Sequence, residues 1–141
     1  MKKLILFSLL SALSLMTTAQ TASDVETVTI ARPHYTITMP EKTYRMPMYQ
    51  FEGEFKGAYD LSNGMTLSLF NIGYTMYAKI GGQERHEIVA TAADTFVARD
   101  RKLQMRIENH PNGDVSGEVL MAVSSDSLAK ADSQVIAIAL H

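Results

Sequence analysis

Four stretches of this sequence combine residue types and spacings that could support chemistry. Ser127-Leu128-Ala129-Lys130 fits the S-x-x-K pattern of penicillin-binding enzymes, in which the lysine follows a nucleophilic serine by one helical turn. That motif opens a long helix in an α/β domain and works with partner motifs such as K-T-G. No partner motif is present, and the chain has no room for the domain. His86-Glu87 begins the zinc-protease pattern H-E-x-x-H, but Ala90 occupies the second histidine's place and the surrounding residues alternate as in a strand. Met39, Met46 and Met48, with His34 nearby, supply soft thioethers of the kind a Cu(I) site uses. The competing reading is that methionine serves there as adaptable packing in an irregular segment. The four histidines, His34, His86, His110 and His141, stand far apart in sequence without ligand spacing, so no metal site is expected.

No carboxylate pair, glycine-rich phosphate loop, nucleophile elbow or basic-aromatic stripe accompanies these stretches. Gly81-Gly82 lies between two alternating runs, so it makes a turn and opens no helix for a phosphate. The pattern argues against an enzyme, because convergent polar and titratable groups are missing. No cofactor or catalytic residue is expected.

The elements that must position any site are strands. From Phe51 to Leu61 the odd positions are apolar or glycine and the even positions are largely polar, a period of two that predicts a half-buried strand. A three-residue loop, Ser62-Asn63-Gly64, pairs Leu61 with Met65 and Tyr59 with Leu67, with Gly64 in the left-handed position. A turn at Ile72-Gly73 would set Leu69 opposite Met76 and Leu67 opposite Ala78. Further reversals follow at 81–83, 92–94, 100–101 and 109–113. They place Phe96 and Ala98 opposite Met105 and Leu103, and set Leu103, Met105 and Ile107 against Val119, Gly117 and Val115.

The polar stretch 124–134 reads as a loop with one helical turn. Val135 to Leu140 is apolar on both faces and reads as a strand buried on two sides or one paired to an edge. The expected core is Tyr59, Leu61, Met65, Leu67, Leu69, Met76, Ile80, Phe96, Leu103, Met105, Ile107, Val115 and Val119.

Upstream, Met1-Lys2-Lys3 is basic, Leu4 to Met16 is apolar, and Thr17-Thr18-Ala19 offers small residues. This is the pattern of a cleavable signal peptide over residues 1–19, with Ala22 as an alternative site. It predicts a periplasmic or secreted protein with no transmembrane span in the mature chain. The formal net charge of −2 becomes about −4 without Lys2 and Lys3, which disfavours nucleic acid as a partner. The chain has no cysteine, so stability must come from the sheet core. Residues 20–50 read as an N-terminal extension and linker, in which Val28 and Ile30, then Tyr35, Ile37 and Met39, make two short alternating runs. Residues 51–141 read as the domain.

The series Gly57-x-Tyr59-x-Leu61-x-x-Gly64-x-Thr66-Leu67, Met76-Tyr77-Ala78-x-Ile80-Gly81-Gly82, Thr95-Phe96-Val97-Ala98-Arg99-Asp100 and Gly113-x-Val115-x-Gly117 resembles a small β-domain of unknown function. That domain occurs alone behind signal peptides or appended to serine β-lactamase-like hydrolases. The resemblance covers roughly residues 53–123. It implies an all-β fold, an antiparallel meander of about eight strands forming a small lipocalin-like barrel or sandwich, and it implies no catalytic residues.

Two binding expectations follow. Phe51, Phe55, Tyr59 and Phe96 could line an apolar cavity, although at this strand length a filled core is the stronger expectation. On the opposite face Phe70, Tyr77, Val89, Val97 and Leu120 recur among polar positions, and an apolar patch of that kind needs a cover. The C-terminal strand is the favoured cover. The N-terminal ribbon and a second copy are the alternatives, and Phe70, Tyr77, Val97 and Leu120 become the candidate ligand or partner residues if the face is free. The leading functional expectation is an exported non-catalytic binding or interaction module for a small apolar ligand or a protein. A small exported enzyme and Cu(I) handling by the methionine segment are the alternatives.

Overall fold

The computed structural model describes residues 34–124 and 133–141. Eight antiparallel strands form one sheet in sequence order: β1 (Gly57–Asp60), β2 (Thr66–Ile72), β3 (Thr75–Ile80), β4 (Arg85–Ala90), β5 (Thr95–Ala98), β6 (Leu103–Asn109), β7 (Val115–Ser124) and β8 (Ser133–Leu140). The last strand returns to the first. Leu61 bridges Leu140, the Ser62 amide donates to the Ala139 carbonyl (2.9 Å), and the His141 amide donates to the Asp60 carbonyl (3.1 Å). The sheet is therefore an all-β, nearly closed barrel, a form that leaves little free strand edge.

Alternation fixes what the barrel holds. Leu67, Leu69, Ala78, Ile80, Ile88, Phe96, Leu103, Met105, Ile107, Val119, Ile138 and Leu140 point inward and are buried. The expected core residues Tyr59, Met65, Met76 and Val115 are partly buried against the same cluster. The Ser62-Asn63-Gly64 loop forms as expected, with Tyr59 opposite Leu67, Leu61 N–H bonded to the Met65 carbonyl (2.9 Å) and Gly64 at φ 80°.

Two registers differ from expectation by two residues. Leu69 pairs with Ala78 and Leu67 with Ile80, because Gly73 (φ 60°) is the first residue of a Gly73-Tyr74 turn where Ile72-Gly73 was expected. Met105 pairs with Val119 and Ile107 with Gly117, because Asn109 still pairs with Val115 and the loop is 110–114. A slip of two keeps every side chain on its face, which is why the core survives both corrections.

Two larger corrections concern the ends of the chain. The expected strand from Phe51 to Leu61 begins only at Gly57; Met48–Gln50 is a single α-turn that continues as a π-helical turn over Phe51–Phe55. The expected polar loop 124–134 is shorter, since Ser124 belongs to β7 and Ser133 and Gln134 to β8. Residues 125–132, with the S-x-x-K stretch, lie outside the described residues, as do the signal-peptide stretch and the Val28–Ile30 run.

Candidate functional site

The two ends of the barrel are unlike. At the end bearing the 73–74, 91–94 and 110–114 turns, the helical turn acts as a plug. Pro47 precedes it in an extended conformation (φ −64°, ψ 140°), and its carbonyl accepts from the Gln50 and Phe51 amides. Phe51 and Phe55, one turn apart, both meet the Phe96 ring edge to face, with centroids 5.9 and 5.1 Å away. The Tyr59 hydroxyl donates to the Phe55 carbonyl (2.5 Å), and burial raises its pKa. Asn71 Nδ2 donates to Glu52 Oε1 (2.8 Å), and Asn109 Nδ2 donates to the Glu54 carbonyl (3.1 Å). The aromatic residues considered as cavity lining thus pack on one another and fill this end.

The other end carries the 62–65, 81–84 and 99–102 turns and holds a recess of about 190 Å³, lined by Ile80, Gln83, Glu84, His86, Lys102, Leu103 and Met121. The turn after β3 starts at Gly81 (φ 50°) and is closed by the Gln83 amide on the Ile80 carbonyl (3.0 Å), which brings Gln83 and Glu84 to the rim. Gln83 Nε2 reaches Met121 Sδ at 3.6 Å, a soft and weak acceptor.

His86, on β4, places Nδ1 2.7 Å from Asp100 Oδ2, and its side chain is 15% exposed. Asp100 also accepts the Lys102 amide through Oδ1 (3.0 Å), which shapes the turn in which Arg101 adopts φ 58°. Burial works against ionisation of Asp100. The Lys102 amide, the His86 ring and the Lys102 charge together outweigh it and hold the carboxyl below its ordinary value.

A histidine oriented by a carboxylate is one half of a nucleophile-activating arrangement. Among the described residues no serine, threonine or cysteine lines the recess to complete it. The arrangement can hold a ligand: the polar side chains of Gln83, Glu84, His86 and Lys102 line it together with the apolar Ile80, Leu103 and Met121.

The residues expected at a ligand or partner surface separate into two groups. Phe70 and Tyr77 stack on each other across β2 and β3 (5.7 Å, 21°), with the Arg85 guanidinium 5.2 Å from the Tyr77 ring. Val97 and Leu120 are buried, 1% and 8% exposed, beneath Ile37, with Tyr35 and Met39 beside them. The cover over this part of the outer face is therefore the Tyr35–Met39 segment. The C-terminal strand, expected in that role, is a barrel strand whose Val135 and Ala137 belong to the covered patch. The methionine stretch is divided as well: Met39 packs on the outer cluster, Met46 and Met48 on the interior one. Among the described residues no three His, Cys, Asp or Glu side chains form a metal-binding group.

The recess escaped the sequence reading because its lining comes from three places, 80–86, 102–103 and 121, that the curvature of the sheet brings together. A further feature also went unread. The exposed large hydrophobic residues Tyr44, Tyr49, Ile72 and Tyr74 all belong to elements at the plugged end, Tyr44 through its amide bond to the Ala90 carbonyl (2.8 Å). Comparison with protein-family models, with curated proteins and with solved structures returns no match.

Proposed function

We propose that this chain is an exported, non-catalytic binding module whose ligand seats at the end of the barrel that carries the 62–65, 81–84 and 99–102 turns. The observation that carries the reading is the recess of about 190 Å³, where polar side chains from separate turns converge on an apolar floor, with no hydroxyl or thiol nucleophile among the described lining residues. Export is supported by the basic, apolar and small-residue order of residues 1–19. The expected product begins at Gln20, which intact-mass measurement of the exported protein reads directly.

Native mass spectrometry of that protein should show a bound small molecule, lost in a Lys102→Glu variant that keeps the β signal in circular dichroism. A protein that carries no small molecule, and whose recess amides do not move with any pool of small metabolites, overturns the reading.

The interaction half of the reading is favoured by one observation, the gathering of Tyr44, Tyr49, Ile72 and Tyr74 at the plugged end, with Tyr74 93% exposed. Exposed aromatic side chains of this kind are enriched where one protein meets another. Tyr49→Ser with Tyr74→Ser should abolish any co-purifying protein while leaving the recess unaltered.

A further inference from the structure

Glu84 and Lys102 line the same recess, yet they are not within 4.0 Å of each other, and neither forms an ion pair with any other described residue. Two opposite charges that share a small opening without neutralising one another present a complementary pair of poles. The same recess is lined by the apolar side chains of Ile80, Leu103 and Met121.

We infer that the recess takes a small zwitterion with a short apolar side chain, of the chemical class of the free aliphatic α-amino acids. The carboxylate would meet the Lys102 ammonium, the ammonium would meet Glu84, and the side chain would lie on the floor. Size supports the class: a cavity of about 150 Å³ holds benzene, so about 190 Å³ suits a molecule of roughly six to nine heavy atoms. Polarity supports it too, because a purely apolar ligand would leave both charges at the rim to be desolvated without compensation. The Gln83 amide, whose one side-chain acceptor among the described residues is a thioether, has hydrogen-bonding capacity to offer a carboxylate oxygen. The ring of His86 is held by Asp100 through Nδ1, and its Nε2 has no hydrogen-bond partner among the described residues.

The inference rests on the reading of the recess as the binding site, and one experiment separates the two. Amide chemical shifts of the purified protein are followed during titration with L-valine, with 3-methylbutanoate, which lacks the ammonium, and with 2-methylpropylamine, which lacks the carboxylate. Valine should move the amides of Gln83, Glu84, His86 and Lys102, and each analogue should bind about tenfold more weakly, the scale of one lost charged contact. Lys102→Met should erase the advantage of valine over the amine, and Glu84→Gln its advantage over the carboxylate. Both side chains are at the exposed rim, and circular dichroism verifies that the variants are folded. Equal binding of all three probes at these residues overturns the zwitterion assignment and leaves the recess as a binding site. Failure of all three probes to move these amides overturns the assignment and counts against the recess itself.

Discussion

A Cβ atom placed on Gly117 would stand 2.0 Å from the carbonyl oxygen of Arg106 on the neighbouring strand. Gly117 pairs with Ile107 in the β6–β7 ladder, so the carbonyl belongs to a backbone fixed on both sides and cannot move aside as a flexible side chain would. Gly117→Ala should cost about 1–3 kcal/mol or more through forced separation of the strands. Gly82→Ala, at a turn position with nothing within 4 Å, should stay within about 0.5 kcal/mol of the parent. Urea midpoints at constant slope check both, and equal midpoints for the two variants would show that β6 and β7 are not paired as described.

The plug gives a second prediction. Phe51 and Phe96 are both 0% exposed, and their rings meet at 70°. Phe96→Ala should destabilise by about 3–5 kcal/mol. In a double-mutant cycle with Phe51→Ala the coupling should be on the order of 0.5–1.5 kcal/mol, as for an edge-to-face aromatic pair. If residue 51 instead lay on an edge strand away from Phe96, the two effects would add.

The plug also shows where the sequence was legible and where it was not. Strict alternation made Leu67, Leu69, Met105 and Ile107 readable as one inward face, since a period of two survives even a two-residue error in register. Phe51 and Phe55 are four apart, a spacing that fits both an alternating strand and a single helical face, and Glu52 and Glu54 are exposed in either case. Pro47 held the deciding signal. A proline immediately before Met48-Tyr49-Gln50, three residues that tolerate a helix, is a helix-start signal. The recess was not legible at all. Gln83, Lys102 and Met121 carry no common pattern, and their meeting depends on the curvature of the sheet.

The Tyr35–Met39 segment covers Val97 and Leu120 through side chains, and no backbone hydrogen bond ties it to the sheet among the described residues. Ile37→Ser should therefore uncover the patch, raise binding of a hydrophobic dye and leave the β signal in circular dichroism intact. Deletion of β8 is a different matter. It removes the Leu61–Leu140 closure together with buried Ile138 and Leu140, so truncation after Ser124 should abolish cooperative unfolding. A truncated protein that still unfolds in one sharp transition would count against barrel closure by β8.

Acid should weaken the protein through two turn carboxylates. Asp94 is held below its ordinary value of 3.8 by the Thr95 hydroxyl and by Arg106, whose Nε lies 3.0 Å from Oδ2. Asp100 is lowered as well, by the Lys102 amide and the His86 ring acting against its burial. A carboxyl whose folded-state pKa lies below its unfolded value binds protons more readily when unfolded. Its stabilisation is therefore complete above the unfolded value and is lost as pH falls through the folded one. Both side chains are more than a third exposed, so the effect is modest and shrinks with added salt. Urea midpoints measured from about pH 5 down to about pH 2 should fall for the parent, and the fall should be shallower for Asp94→Asn and shallower again when Asp100→Asn is added. Identical acid limbs for the parent and the double variant would show that neither carboxylate is held by its neighbours in solution.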